Sequence, residues 1–246
     1  GDIDPEYVER QVEKYFGDLE PGAPVERMYK TGSSLKGQTI MEYVDQVQLP
    51  RLYLAWPTAP DFTEDQAALD MLSIILSDGN SSRLNRSLVY DTQKALDVRA
   101  FNHGQEISGE FHIIATANQG ITLGSLESEI RRQLESIKQN MPSDKELEGA
   151  INRLESYQIR QLEKIGGFGG KADQLNYYNV MGGSPDLINS DIDRYKKVRP
   201  EDISKAASLL GDNHVMLSVV PQRNLSRSKN SMDRFTEPKS NTSISF

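Results

Sequence analysis

The chain has 246 residues, of which 37% are hydrophobic and 26% are charged, the composition of an ordinary globular protein with a substantial core. Its net charge is -8, so it has no global attraction to nucleic acid or to an anionic membrane. It contains no cysteine, which excludes disulfides, thiolate metal sites and cysteine nucleophiles.

The cellular compartment stays open, because a cysteine-free chain is compatible with cytosol, periplasm or secretion. We expect a periplasmic or extracytoplasmic location. No apolar run approaches the roughly 20 residues that span a bilayer, and Gly1–Pro5 is not a signal peptide. The chain starts abruptly ahead of a helix, so we expect a fragment of a longer protein whose upstream part is missing.

The first helix is predicted from its start signals, with Asp4 at the cap and Pro5 in the first turn. It stops at Gly17. Residues 20–36 are rich in proline, glycine and serine and have the chemistry of a linker. A domain boundary is therefore expected there.

Two strands and a buried helix come next. Residues 39–49 and 52–56 alternate β-branched or aromatic residues with polar ones, which predicts strands. Asp61–Glu64 resembles a capping box, and residues 67–75 are apolar almost all round, which predicts a central helix. The turn residues 78–80 end that helix.

The middle of the chain predicts a short helix, two strands and a longer helix. The short helix is serine-capped and runs from Arg83 to about Tyr90. The strands cover residues 95–102 and 110–117. Apolar residues then recur at steps of three and four over residues 123–137, which is typical of an amphipathic helix lying on a sheet.

The last third is mainly helical. Ser143-x-x-Glu146 predicts the start of a long helix, which residues 166–167 interrupt. Further helices follow, the last opened by Pro200, before a final strand at residues 214–220. Runs of strands followed by runs of helices predict an α+β fold, with an antiparallel sheet covered by helices mainly on one face.

Three segments are expected from this pattern. Residues 1–36 form the end of a preceding lobe and a linker. Residues 37–221 form one α+β lobe. Residues 222–246 are polar, have no apolar period and are predicted to be a disordered tail.

The histidines do not predict a metal site. His103, His112 and His214 are not spaced four residues apart, so no helix can present two imidazoles to one ion. The segment His103–Ile107 begins like a zinc motif but puts Ile107 where a second ligand belongs, which favours an exposed turn histidine. We interpret His112 and His214 as satisfied sheet residues.

Two other patterns also favour structure over chemistry. Residues 166–171 imitate a phosphate-binding loop but lack its first glycine and its Ser/Thr, so they indicate a flexible break between helices. The acidic pairs Glu127/Glu129 and Glu146/Glu148 are interpreted as solvated helix faces.

Several short motifs together resemble a known family. Gly1–Pro5 followed by Lys14–Leu19 is similar to the segment that closes one lobe of the M16 (pitrilysin/insulinase, mitochondrial processing peptidase) metallopeptidases. Ser81–Leu84, after an apolar helix, resembles the start of the short helix in the following lobe. Val198–Ile203 is similar to the end of that lobe. The resemblance covers about residues 1–221.

The resemblance implies a pair of related α+β lobes that enclose a chamber for extended peptides. In the family, zinc is held by an H-x-x-E-H helix and a downstream glutamate, all upstream of the point where this chain begins. This chain has no such helix, so we expect no catalytic residue and no metal ligand in it. Zinc is expected in the missing catalytic lobe, which would be either upstream in the same chain or a separate subunit.

The family also uses an arginine and a tyrosine seven residues apart to hold and polarise substrate. Aligning on Ser81–Leu84 puts these positions at Val89 and Leu96, neither of which can donate a hydrogen bond from its side chain. The resemblance therefore implies that this substrate clamp is lost, and the short helix is kept for packing.

One loop stays a candidate for contacting extended peptides. Its position corresponds to that of a glycine-rich loop with which some non-catalytic subunits of the family handle peptide. The alternative is a plain turn with left-handed residues at Gly79 and Asn80 and a serine cap. The candidate substrate-binding residues are Ser77, Asp78, Gly79, Asn80, Ser81 and Ser82.

Two functions remain open, and a third is kept as an alternative. The favoured one is the C-terminal, non-catalytic lobe of a zinc endopeptidase, inactive alone, that completes the peptide chamber. The rival is a structural or assembly subunit of a larger complex without peptidase activity. An unrelated α+β binding module is the third. An H-x-x-E-H segment upstream of Gly1 would support the first.

Overall fold

The computed structural model describes residues 2–24 and 34–222. Part of the predicted linker, residues 25–33, and the predicted tail beyond Gln222 lie outside the described residues. In the described part, five strands share one sheet: β1 (Thr39–Asp45), β2 (Arg51–Thr58), β3 (Ala95–Gly104), β4 (Gly109–Ala117) and β5 (Val215–Pro221). No α-helix there is long and apolar enough to cross a bilayer.

The described part of the chain also contains seven α-helices. They are α1 (Pro5–Phe16), α2 (Gln66–Ser77), α3 (Leu123–Gln139), α4 (Asp144–Glu163), α5 (Lys171–Tyr177), α6 (Ile192–Lys196) and α7 (Pro200–Leu209). Three shorter helical segments complete the fold: π-helical turns at Asn85–Asp91 and Tyr178–Gly182, and a 3₁₀ turn at Pro185–Asn189.

The sheet has the strand order β1-β5-β2-β4-β3. β2 pairs antiparallel with both β4 and β5, and β3 pairs antiparallel with β4. β1 and β5 are parallel, and the long connection that a parallel pair needs is present, since β2–β4 and α2–α7 lie between them in the sequence. The predicted α+β fold is confirmed, and the sheet is antiparallel except at this edge pair.

The core lies between one face of the sheet and the helices. Alternate residues of β2, Leu52, Leu54 and Trp56, are buried, and Leu54 sits opposite the buried Ile113 of β4. α2 packs over this face and against α7, with most of its circumference buried. Each large apolar side chain buried here contributes roughly 1.5–3 kcal/mol. The prediction of a central helix at this position is confirmed.

The opposite face of the sheet stays open. Tyr53 and Ala55 of β2 are only partly buried, and Met41 and Tyr43 of β1 and Phe101 of β3 are exposed. The helices therefore cover mainly one face of the sheet, as predicted.

α1 stands apart from the core. The side chain of Asp4 accepts hydrogen bonds from the N–H groups of Glu6 and Tyr7, which confirms the predicted cap. No residue of α1 is buried, although its apolar residues, including Val12 and Phe16, lie along one stripe. This helix presents an apolar surface that the described residues do not cover.

Local signals placed α4 correctly. The Ser143 hydroxyl accepts from the N–H of Glu146, and the Glu146 carboxylate accepts from the N–H of Ser143, which is the predicted capping box. The helix ends at Glu163, and α5 begins at Lys171, so residues 166–167 do interrupt the helical run.

The capping box predicted at Asp61–Glu64 is wrong. α2 begins only at Gln66 and has no side-chain cap. Asp61 is buried, and its carboxylate instead accepts from the Gln66 Nε2 (2.7 Å) and the Tyr177 hydroxyl (2.7 Å). Leaving a buried carboxylate without hydrogen-bond donors would cost more free energy than leaving a helix end without a side-chain cap.

Candidate functional site

The loop Ser77–Ser82 connects the end of α2 to the π-helical turn Asn85–Asp91. Gly79 has a φ of 85°, and a Cβ added there would collide with the guanidinium of Arg153 on α4. The position therefore requires glycine for two reasons, its left-handed backbone and the side chain that lies across it. The predicted left-handed conformation is confirmed at Gly79. It is wrong for Asn80, whose φ is not positive.

Ser77 closes part of the edge of the sheet. Its hydroxyl accepts from the N–H of Ala100 (2.7 Å) and donates to the carbonyl oxygen of Ala100 (3.2 Å). Because β3 is the edge strand, these are backbone groups that a further strand would otherwise use. An extended peptide cannot pair with β3 at this residue while Ser77 holds it.

Asn85 holds the loop from inside. Its Nδ2 donates to the carbonyl oxygen of Ser77 (2.6 Å) and to the Ser82 hydroxyl (3.0 Å). The Ser82 hydroxyl donates back to the carbonyl oxygen of Gly79 (2.6 Å), so it does not cap the following turn as predicted. The short helix is also π-helical rather than α-helical, since its N–H groups reach one residue further back.

Only part of the predicted loop faces solvent. Asn80 and Ser81 are exposed, whereas Ser82 is buried. The Asp78 carboxylate lies 3.4 Å from the Nη1 of Arg153. Asn80, Ser81 and Asp78 are therefore the loop side chains that could contact a bound peptide.

A groove opens next to this loop, between α4, the end of α2 and β3. Its volume is about 890 Å³. Asp78 lies at one end, Phe101 and Asn102 of β3 form one wall, and Arg153 and Tyr157 belong to the α4 wall. The groove is open and is lined by polar and apolar groups in similar amounts, and the exposed ring of Tyr157 lies on its α4 side.

Our sequence analysis missed the α4 side of this groove. Arg153, Tyr157 and Arg160 are spaced four and three residues apart, so they share one helix face. That spacing was visible in the sequence. What the sequence did not show is that this face lies opposite β3 rather than bulk solvent.

The arginine of the Ser81–Leu84 motif is structural. The Arg83 guanidinium donates to both carboxylate oxygens of Glu146 (2.8 and 3.1 Å) and to the carbonyl oxygen of Asn140 (3.0 Å). These hydrogen bonds from Arg83 lower the pKa of Glu146 to about 2. The residue joins the short helix to the connection between α3 and α4.

Glu129 corrects our interpretation of the acidic pairs as solvated. It is buried, accepts from the Ser87 hydroxyl of the π-helical turn, and forms an ion pair with Arg132 (2.5 Å). Hydrogen bonds from Arg132, with those from Ser87 and Gln133, lower the pKa of Glu129 to about 2. Glu146 is not simply solvated either, because its carboxylate accepts hydrogen bonds from Arg83. Glu148 is exposed, as predicted.

The positions of the family's substrate clamp are apolar in the structure. Val89 packs partly buried against the core, and Leu96 of β3 is exposed. Tyr90, the nearest phenol on the turn, is exposed, and Arg86 lies 3.7 Å from Asp91. None of these side chains reproduces the arginine and tyrosine spacing.

The described residues contain no group of three or more histidine, aspartate or glutamate side chains placed to hold a metal ion. His214 is buried, stacked on Trp56 at 5.1 Å, and contacted by Gln38 Nε2 (3.1 Å). Burial lowers its pKa and favours the neutral ring. His112 stacks on Phe101 at 4.9 Å. Both are satisfied residues at the sheet, as we interpreted them.

His103 is exposed, as expected, but it is the second-to-last residue of β3 rather than part of the hairpin loop. These three imidazoles do not fit the zinc site of the family, which needs two on one helix face.

The comparison with known families identifies the protein family of the chain. Residues 1–154 match the family described as peptidase M16 inactive domain. The chain belongs to the peptidase M16 inactive domain family. The family resemblance found in the sequence is thus confirmed.

A curated relative and two solved structures are similar to the chain. It is 30% identical over 190 residues to "Zinc protease PqqE" of Helicobacter pylori, a match that covers 74% of this chain and 42% of that protein. A crystal structure of a protease from Helicobacter pylori superposes with a TM-score of 0.75, at 21% identity, over 90% of this chain and 53% of that one.

The crystal structure of a peptidase M16 inactive domain from Pseudomonas fluorescens superposes with a TM-score of 0.74 at 18% identity, over 91% of this chain and 52% of that one. At these identities the structures show the shared fold. The chain spans about half the length of the relatives it matches.

Proposed function

We propose that this chain is the non-catalytic lobe of a zinc-dependent M16-like endopeptidase and completes a peptide-binding chamber with a catalytic lobe. The observation that carries the proposal is family membership: an M16 inactive domain, matched over residues 1–154, that is similar to a protein named as a zinc protease. The relatives are about twice as long as this chain, which leaves room in them for a second lobe.

The residue chemistry of the chain supports a non-catalytic role beside a separate catalytic lobe. A zinc peptidase needs imidazoles and a carboxylate around the ion and a glutamate near the bound water. The described residues offer no such group. The proposal therefore places zinc and the H-x-x-E-H helix in the catalytic lobe and assigns hydrolysis to that lobe.

Two apolar surfaces support the presence of a partner lobe. α1 exposes Val12, Tyr15 and Phe16, each more than half exposed, along one stripe. The open face of the sheet exposes Met41 and Tyr43. Exposed apolar patches of this kind often mark sites where another protein binds.

The loop Ser77–Ser82 is proposed to contact the enclosed peptide through its outward-facing residues. Asn80 and Ser81 are exposed, and both can donate and accept hydrogen bonds. Ser77 and Ser82 are occupied by hydrogen bonds within the fold, so their part is to shape the loop.

A structural or assembly role is the second candidate. The observation that favours it is the pair Val89 and Leu96, because apolar side chains at these positions cannot hold or polarise a peptide. A subunit that had lost peptide handling would still need its apolar surfaces for assembly.

Association with the catalytic lobe tests the proposal. Sedimentation of this chain with its H-x-x-E-H lobe should show a one-to-one complex. Val12→Asp, in the exposed stripe of α1, should weaken it about tenfold or more by placing a charge in an apolar contact. Arg10→Gln, on the opposite face of the same helix, is the control and should leave it unchanged. Absence of any complex would overturn the proposal, and a complex that hydrolyses no peptide would favour the assembly role.

A further inference from the structure

The groove beside α4 has a charge that its surroundings do not neutralise. Arg153, Tyr157 and Arg160 line one side of it, and Asp78 lies at its end. Arg153 contacts Asp78 at 3.4 Å in an ion pair whose partners are both about half exposed. Within residues 2–24 and 34–222, the guanidinium of Arg160 has no hydrogen bond or ion pair.

An exposed ion pair of this length contributes little, about 0–1 kcal/mol, so Arg153 can exchange Asp78 for another carboxylate at low cost. Arg160 needs no exchange at all. The two arginines stand seven positions apart on one helix, a separation of roughly 10 Å. They present two cationic contacts to a ligand that lies along the groove.

The opposite wall, which β3 forms, does not offer backbone pairing at its middle. Ser77 occupies the N–H and C=O of Ala100, so the middle of the β3 edge is closed to an added strand. Tyr157 is exposed on the α4 side of the groove, whereas the ring of Phe101 stacks on His112 at the open face of the sheet. Recognition here must therefore come from side chains of the ligand.

We propose that the α4 groove binds an acidic segment of an extended peptide, with Arg153 and Arg160 receiving its carboxylates and Tyr157 contacting an apolar side chain between them. This inference rests on the proposed peptide-handling function of the lobe. Guanidinium groups are suited to it, because they bind carboxylates in a fork geometry and stay charged.

Because the protein is acidic overall, a preference for an acidic peptide would indicate a local cationic site. At -8, the chain repels an acidic peptide overall, so preference for such a peptide has to arise from a local cationic site. Non-specific attraction would instead favour a basic peptide.

Fluorescence anisotropy on the full chain tests the inference with three labelled ten-residue peptides. One carries glutamates among apolar residues, and the others carry glutamine or lysine at the same positions. The glutamate peptide should bind about tenfold tighter than the glutamine peptide, and the preference should shrink at high salt. Arg160→Gln should remove most of the preference, and Arg160→Lys should keep most of it.

Arg10→Gln is the control, because Arg10 is an exposed arginine on α1, outside the groove. It should leave the preference intact. Arg160→Glu should reverse the preference toward the lysine peptide, and circular dichroism of each variant shows that the fold is kept. Equal binding of the glutamate and glutamine peptides would overturn this inference while leaving peptide handling in place. Failure of all three peptides to bind would overturn this inference and the proposed contact of the lobe with peptide, while the association with the catalytic lobe is judged by sedimentation.

Discussion

The hydroxyl of Ser77 bridges both backbone groups of Ala100, accepting from its N–H at 2.7 Å and donating to its carbonyl oxygen at 3.2 Å. The last residue of α2 thereby takes the place of a neighbouring strand at one position of the sheet edge. This contact separates the roles of the two features beside it. The edge of β3 is protected, and the groove along α4 is left for side-chain recognition.

Ser77→Ala should expose the backbone of Ala100. The variant leaves an N–H and a C=O at a half-buried edge without their partner, which should cost about 1–2 kcal/mol of unfolding free energy. Hydrogen exchange at the Ala100 amide should become about tenfold faster or more. Ser208→Ala, which removes only an intrahelical hydroxyl contact, should change neither quantity appreciably. Unchanged exchange at Ala100 would contradict the edge-closing role.

Arg83→Lys should destabilise the fold although it keeps the charge. A lysine ammonium cannot bind both oxygens of Glu146 and the carbonyl oxygen of Asn140 at once. Urea unfolding should show a loss of about 1–3 kcal/mol. Arg86→Lys is the matched control, since Arg86 is exposed and makes a long contact with Asp91, and it should stay within about 0.5 kcal/mol. Equal stabilities of the two variants would contradict the structural role of Arg83.

Glu129→Gln should destabilise the protein in a pH-dependent way. The pKa of Glu129 in the folded chain, about 2, is below its ordinary 4.5, so its ionised contacts add stability above pH 4.5 that is lost as the pH falls toward 2. The variant should lose about 1–3 kcal/mol at pH 7.

Unfolding curves from pH 7 to pH 3 check this expectation. The difference between the original protein and Glu129→Gln should be constant down to about pH 5 and then narrow. Glu135→Gln, on the same helix but exposed, should show no such trend. A difference that does not depend on pH would show that the carboxylate charge is irrelevant there.

Asp70 should change the pH dependence of stability in the direction opposite to Glu129, because its pKa is raised rather than lowered. Burial raises its pKa to about 6, against hydrogen bonds from Asn102 (2.9 Å) and Tyr195 (2.9 Å), with Asp61 also raising it and Arg194 lowering it. The folded chain therefore holds this proton better than the unfolded chain. Between pH 6 and pH 3.8, Asp70 makes the protein more stable as the pH falls.

Asp70→Asn should remove this dependence. The stability of the original protein relative to the variant should rise by about 1–3 kcal/mol as the pH is lowered from 7 to 4. Thermal unfolding at fixed ionic strength measures it, and Glu64→Gln at an exposed position serves as control. A falling or flat difference would mean that Asp70 is not shifted as described.

Local signals in the sequence were enough for most of the fold. The caps of α1 and α4 follow from residues within three positions of each other, and the all-round apolar pattern of α2 predicts its burial. The alternation in β2 likewise matches which of its residues face the core. These features are decided by neighbours in sequence, so sequence periodicity carries them.

Contacts between distant residues could not be predicted in this way. Arg83 and Glu146 are 63 positions apart, and Asp61 and Tyr177 are 116 apart. At each of these sites a tertiary partner decided the role of a side chain that the local pattern assigned to a cap or a solvated face. The α4 wall of the groove escaped prediction for the same reason, since only the fold brings it opposite β3.

Peptide hydrolysis measured with and without the catalytic lobe tests the central claim most directly. A quenched fluorescent peptide should stay intact with this chain and zinc alone, because its described residues place no metal-binding group. It should be cleaved when the H-x-x-E-H lobe is added, faster than by that lobe alone. Turnover by the purified chain on its own would contradict the account.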